Sequence, residues 1–200
     1  MAQQCTRLAE YTGRLGFARE ALRFVDRAAD AARYEPSPVL HCLVSMRRSV
    51  AHAQLGDEVA FRAAITTARR ELDRGPHETD PTWTKFIRHS EITVCEAGGW
   101  RRLGSPAQAV KLIHAALDDT ARSPRDRALQ RASLAGALMH TGDLSQAISH
   151  SLMILPDLGT TLTSGRALQR LQPVREAADA AGAVEFCDQF DAAARAFRAT

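Results

Sequence analysis

Apolar residues along this chain recur at intervals of three and four rather than two, as in Val110, Ile113 and Leu117 or in Leu134 and Leu138. That period lays an apolar stripe along one side of a helix, and no strand is needed to account for it. The helix ends are marked by turn residues. Ser37-Pro38, Asp80-Pro81, Ser105-Pro106 and Ser123-Pro124 each put a capping side chain before a proline, whose missing N–H is not needed in the first helical turn. Gln108 follows Ser105, and Gln146 follows Asp143, at the three-residue spacing of a reciprocal cap. Gly16, Gly56, Gly75, Gly104, Gly142 and Gly182 suit the left-handed conformation that closes a helix. Between these signals the expected helices are 3–14, 17–33, 38–55, 58–73, 81–102, 106–120, 124–140, 144–155, 164–181 and 183–198.

Superposing the turn glycines exposes a repeat. Leu15-Gly16, Leu55-Gly56, Leu103-Gly104 and Thr141-Gly142 each lie between two helices. Five residues after the glycine come Ala21, Ala109 and Ala147, with Phe61 as the exception; twelve after come Ala28, Ala68 and Ala116, with Ile154 as the exception. Seven residues before it stand Ala9, Ser49, Ala97 and Ala135. Small side chains at fixed places let two helices approach closely at their crossing. Larger residues, among them Val25, Ile65, Ile113, Leu8, Leu134 and Trp100, are expected to fill the flanks between pairs.

This arrangement resembles the tetratricopeptide consensus, a helix-turn-helix of about thirty-four residues with recurring small residues around a turn glycine. The resemblance implies an all-α, right-handed superhelical array of antiparallel helix pairs, a single repeat domain over 1–200. Pairs are expected at about 3–33, 38–73, 81–120 and 124–155, with a degenerate capping pair at 164–198. The glycines at 16, 56, 104, 142 and 182 are 40, 48, 38 and 40 residues apart, so helices are longer than in the consensus or linkers are inserted, notably between Arg74 and Pro81.

A second resemblance covers most of residues 40–180. Asp80-Pro81-Thr82-Trp83, Leu103-Gly104-Ser105-Pro106-Ala107-Gln108-Ala109, Arg127-Ala128-Leu129, Gly142-Asp143-Leu144 and Ser164-Gly165-Arg166 occur in that order. Together they are similar to the C-terminal repeat region of actinobacterial helix-turn-helix transcriptional regulators, which implies a role in sensing or self-association. This chain departs from that pattern in two ways. Nothing before Tyr11 offers a DNA-binding domain, so the expectation is a fragment or a stand-alone relative. Arg88-His89-Ser90-Glu91 also stands where such relatives carry an acidic stretch.

Composition narrows the reading further. The chain has 45% hydrophobic and 24% charged residues, the make-up of a folded soluble protein. The formal charge is +3, and the arginines are interleaved with acids, which argues against direct nucleic-acid contact by this chain. No apolar run is long enough to span a bilayer, so no membrane partner is expected. Cys5, Cys42, Cys95 and Cys187 are widely separated and lack a C-x-x-C pair, reading as free thiols of a cytoplasmic protein.

Repeat arrays of this kind bind along the surface lined by the first helix of each pair. The ligand-binding candidates on that wall are Glu10, Arg14, Met46, Arg88, Glu91, Arg101, Arg102, Met139 and His140. An arginine-rich wall suits carboxylates, so the expected partner is a peptide, a protein segment or a small anionic ligand. Homodimer formation through an uncapped array end is left open. No cofactor is implied. The histidines include no i, i+4 pair, and His89 and Glu91, two apart, diverge on a helix, so no metal site is expected.

The competing class is an enzyme on a helical-repeat scaffold with His89 and Glu91 as acid–base residues in a central pocket. Against it, the sequence contains no nucleophile elbow, phosphate loop or paired metal motif. Cys95 is expected to pack near Trp100, and Trp83 and Trp100 to bracket one long helix, either packed between pairs or forming an aromatic platform.

Overall fold

The computed structural model describes residues 1–118, 123–158 and 165–198. Among them are ten α-helices: α1 (Ala2–Arg14), α2 (Ala18–Ala32), α3 (Pro38–Gln54), α4 (Glu58–Asp73), α5 (His89–Arg102), α6 (Pro106–Leu117), α7 (Pro124–His140), α8 (Leu144–Leu152), α9 (Gly165–Ala180) and α10 (Val184–Arg198). Short 3-10 turns cover Thr82–Thr84 and Leu155–Asp157. The described residues contain no β-strand beyond a single bridge residue at Leu158. The last residues of the expected helix 106–120, and Ser164 at the start of the expected 164–181, lie outside the described residues.

The six glycines marked as helix ends all adopt positive φ, between 75° and 87°. Five of these corners share one hydrogen-bond pattern. In each, the glycine N–H donates three residues back, and the next residue's N–H donates five residues back. Gly16 donates to Gly13 and Phe17 to Thr12; the same holds for Gly56 and Asp57, Gly104 and Ser105, Gly142 and Asp143, and Gly182 and Ala183. The motif satisfies carbonyls that a helix end otherwise leaves orphaned. Gly75 differs because Pro76 follows it and has no N–H for the second bond.

Helix starts follow the caps only in part. Ser37 accepts from the Leu40 N–H, Ser123 from Asp126 and Asp143 from Gln146. The Gln146 side chain answers Asp143 directly, its amide donating to the carboxylate at 2.7 Å. Asp80 does not cap a helix. Its carboxylate accepts from the Ser37 hydroxyl at 2.6 Å and from the His77 N–H at 2.8 Å.

The expected helix 81–102 is accordingly corrected to a single 3-10 turn and a shorter α5 that begins at His89. Thr82, Trp83, Thr84, Phe86 and Ile87 are β-branched or aromatic and favour helix weakly. Burial of Thr84 and Ile87 outweighs continuing the helix, and Arg88 restarts the chain in an extended conformation. At 144–155 the α-helix stops at Leu152, just ahead of the turn that contains Pro156.

The chain groups into two compact units that divide between Ser105 and Pro106. In the first, α1 packs on α2 and α3, and α3 lies against α2, α4 and α5. In the second, α7 lies between α6, α8 and α9, and α10 packs on α9. The small-residue register occupies the interior of both: Ala9, Ala21, Ala28, Ser49, Ala68, Ala97, Ala109, Ala116, Ala135 and Ala147 are all buried. Val25, Ile65 and Ile113, nine residues past their glycines, are buried as well. Leu8 is a correction, since it is 43% exposed while Cys5, Ala9 and Gly13 take the inward face of α1.

Candidate functional site

Within the first unit the A-type helices α1, α3 and α5 lie side by side, with α3 in the middle. Each of the two outer helices ends in arginine just before its glycine corner: Arg14 on α1, and Arg101 with Arg102 on α5. The equivalent residue of α3 is Gln54, whose side-chain amide donates to the Gly13 carbonyl and ties α3 to the end of α1. Cations in the last helical turn are favoured there by the partial negative charge of exposed carbonyls. The helix end alone therefore accounts for placing a positive charge, and the neighbours determine whether that charge is compensated.

Compensation is uneven along the wall. Glu10 is held by Arg47 of α3 at 2.6 Å, and both side chains are partly buried. Among the described residues, Arg14 and Arg101 have no acidic partner. Arg102 donates to the Gly98 carbonyl of its own helix at 3.0 Å. Although Arg102 is exposed as a residue, desolvation of the folded-back guanidinium, and then Arg101, hold its pKa below the ordinary arginine value. Met46 is 5% exposed and belongs to the core, with Arg47, its neighbour in sequence, at the wall instead. Arg88 is the extended residue before α5, and Glu91, half-buried, sits in the first turn of that helix.

The remaining two candidates lie in the second unit. Met139 is half-buried near the end of α7, and His140 is exposed with its Nδ1 2.6 Å from the Gly136 carbonyl.

The acid–base alternative fares differently. His89 Nε2 lies 3.3 Å from Asp73 Oδ1 at the end of α4, and both side chains are more than half exposed. The structure pairs His89 with a residue that sequence reasoning did not consider, in water and not in an enclosed pocket. No group of three or more His, Cys, Asp or Glu side chains among the described residues could hold a metal ion.

Cys95 is placed against α3, its thiol 3.5 Å from both the Ser49 hydroxyl and the Met46 carbonyl. Its polar contacts are thus with α3, whereas the Trp100 ring meets residues of α4. Burial raises the Cys95 pKa, with Ser49, Arg47 and Arg102 opposing, and pushes Cys42 up to about 12. Neither thiol is primed as a nucleophile. Trp100 is an interior residue between α4 and α5: it meets Phe61 edge-on at 5.4 Å, and the Arg62 guanidinium lies 4.3 Å from its ring centre. Glu96 joins this contact, accepting from Trp100 at 3.4 Å and from Arg69 at 2.6 Å.

No protein-family model matches this chain, and no curated protein matches it. Solved structures do. One, from Podosopora anserina, is described as the nearly identical TPR-like repeats of a protein assigned as a kinesin light chain. It aligns with TM-score 0.62 at 16% identity, over 96% of this chain and 93% of that one. A single-substitution variant of the same repeats aligns with TM-score 0.63 at 16% identity, over 99% and 96%. The fold is tetratricopeptide-like.

At this identity the likeness shows the fold alone. Within a tetratricopeptide-like fold, Phe61 is the departure of most consequence in the first unit, since it puts an aromatic ring where Ala21, Ala109 and Ala147 stand after other corners. Arg47 is the wall residue that sequence reasoning missed. The signal was available in the charge spacing, because Arg47 and Glu10 are thirty-seven residues apart on A-type helices of successive pairs. No helix among the described residues is long and apolar enough to cross a membrane.

Proposed function

We propose that this chain is a non-catalytic binding module of a bacterial regulatory system that takes an acidic peptide or protein segment along α1, α3 and α5. The single observation behind this reading is the uncompensated positive charge at the C-terminal ends of α1 and α5. Among the described residues, Arg14 and Arg101 have no acidic partner and Arg102 donates to its own backbone. Planar guanidinium groups recognise carboxylates through paired hydrogen bonds. Tetratricopeptide-like arrays as a class offer their A-helix face to peptides and proteins, which supports a macromolecular partner. The resemblance to the repeat region of actinobacterial regulators supports the regulatory setting, and four unpaired cysteines support a reducing compartment such as the cytoplasm.

The test is fluorescence anisotropy at low salt with a labelled decapeptide rich in Glu and Asp. Substituting Arg101→Ala and Arg102→Ala together is expected to weaken binding about tenfold, because each contact is made by a partly solvated cation. The melting temperature is expected to stay nearly constant, since neither side chain carries core packing. Equal affinity in both proteins would remove the arginine wall as the binding surface.

A second reading, self-association, rests on Met1, Leu8, Tyr11 and Leu15, which are 89%, 43%, 57% and 53% exposed on α1 and its corner. Sedimentation equilibrium is expected to show a dimer that Leu8→Glu disrupts. A monomer at all concentrations excludes it.

A further inference from the structure

The segment from Gly75 to Ile87 combines the linker expected between two helix pairs with the unwound start of the expected helix 81–102, and a cleft opens beside it. Pro76 and Pro81 stiffen it. Asp80 fastens it to the start of α3 through Ser37, and its far end is pinned by Thr84 and Ile87, which are 1% and 7% exposed. Thr84 is held in turn by its hydroxyl, which donates to the Pro81 carbonyl at 2.6 Å. The segment therefore packs on α3 at these fixed points and leaves an open cleft beside them. The space left is a cleft of about 590 Å³, walled by Val39 of α3, Leu72 of α4 and Ile87. Its size falls within the range of small-molecule sites, which are mainly apolar with a few polar groups that orient the ligand.

Two charged side chains line this cleft, an anion whose oxygens are engaged by neutral donors and a cation with no ion-pair partner among the described residues. Asp80 lines it, but each carboxylate oxygen is already engaged, one by the Ser37 hydroxyl and the other by the His77 N–H. The His77 Nδ1 is 2.8 Å from the Thr79 hydroxyl. Lys85 also lines the cleft, is exposed, and has no ion-pair partner among the described residues. It is one of two lysines among the chain's 26 lysine and arginine residues. An ammonium on a flexible stem serves as a point charge for a single anionic head, without the planar fork that arginine presents.

We propose that this cleft binds a small apolar molecule carrying one carboxylate, with its hydrocarbon body against Val39, Leu72 and Ile87 and its carboxylate at the Lys85 ammonium. The site is separate from the arginine wall and does not rest on the peptide-binding reading.

Isothermal titration of the full chain with decanoate, decan-1-ol and decylamine tests it, the three probes sharing a body and differing in head group. Decanoate is expected to bind one to one, about tenfold more tightly than the alcohol, with the amine weakest. Lys85→Met is expected to remove the advantage of decanoate over decan-1-ol, and Lys85→Arg to keep most of it. Lys85 is exposed, so these variants retain the fold, which a melting curve verifies. Val39→Phe is expected to narrow the cleft and weaken binding of decanoate and alcohol alike. The Arg101→Ala, Arg102→Ala variant is expected to bind decanoate as the parent does, so failure of the peptide reading and failure of this one are distinguishable. The proposal is overturned if decanoate shows no saturable binding, if Lys85→Met leaves its preference over decan-1-ol intact, or if Val39→Phe leaves its affinity unchanged.

Discussion

The ring of Phe61 on α4 occupies the space that a side chain on Gly99 of α5 would need. A Cβ built on Gly99 would fall on the ring edge, at Cε2 and Cζ of Phe61. Phe61 is 1% exposed and is pinned from another side by Trp100, so the ring has nowhere to retreat. The aromatic residue that breaks the alanine register and the glycine that faces it form one compensating pair. Gly99 is helical and needs no unusual backbone conformation. Its small size is required by packing alone.

Gly99→Ala is therefore expected to destabilise the protein by about 1–3 kcal/mol, the cost of overpacking a filled core. Combined with Phe61→Leu, the same substitution is expected to cost much less than the sum of the two single changes. Urea unfolding of the three variants measures the coupling. Strict additivity would mean that the two residues do not share this space.

Gly182 and Gly136 are glycines of two further kinds, and substitution reads the difference. Gly182 lies at φ 75° with nothing near its would-be Cβ, so Gly182→Ala is strained by the backbone and is expected to cost about 1–2 kcal/mol. Gly136 is helical, and an added Cβ would meet only the Arg170 carbonyl oxygen at 3.8 Å, an ordinary contact. Gly136→Ala is expected to stabilise by about 0.5–1 kcal/mol through reduced freedom of the unfolded chain. Thermal melts of the two variants should move in opposite directions.

Ala109 is fully buried on α6 and belongs to the recurring small-residue set. Ala109→Leu adds three carbons where none fit and is expected to lose about 1–3 kcal/mol. A melting curve identical to that of the parent would show that this position is not a close-contact site.

Cys42 is fully buried, and burial first, then Cys95 and Glu71, raises its thiol pKa from 9.0 to about 12. Between those values the unfolded chain loses its proton while the folded chain keeps it. Stability linked to this group is thus complete below pH 9.0 and falls as pH rises towards about 12. Cys42→Ala is expected to flatten that part of the stability profile. In the parent, iodoacetamide at pH 8 is expected to leave Cys42 unmodified until urea unfolds the protein; rapid labelling of the native state would contradict its placement.

Helix ends and corner glycines were legible in the residues because both are decided locally. A capping hydroxyl reaches an N–H three residues away, and a glycine takes positive φ at its own α-carbon, so Ser37, Ser123 and the six glycines needed no knowledge of the rest of the fold. The buried small-residue register followed from the same corners. Asp80 shows where such reasoning ends: followed by proline it reads as a cap, yet its carboxylate is taken by Ser37, forty-three residues away, and the helix expected after it is broken.

What the sequence by itself determined, then, is the helix-turn-helix repeat, whose signals lie within one turn of each corner. Only the tertiary structure decided which face of each helix is covered. It put Met46 in the core and Arg47 on Glu10, turned Leu8 outward, set Phe61 against Gly99, and fastened Asp80 to Ser37 beside an open cleft. The reason is physical: a side chain's surroundings depend on neighbours tens of residues distant, and their packing outweighs the small local preferences that a single helix expresses.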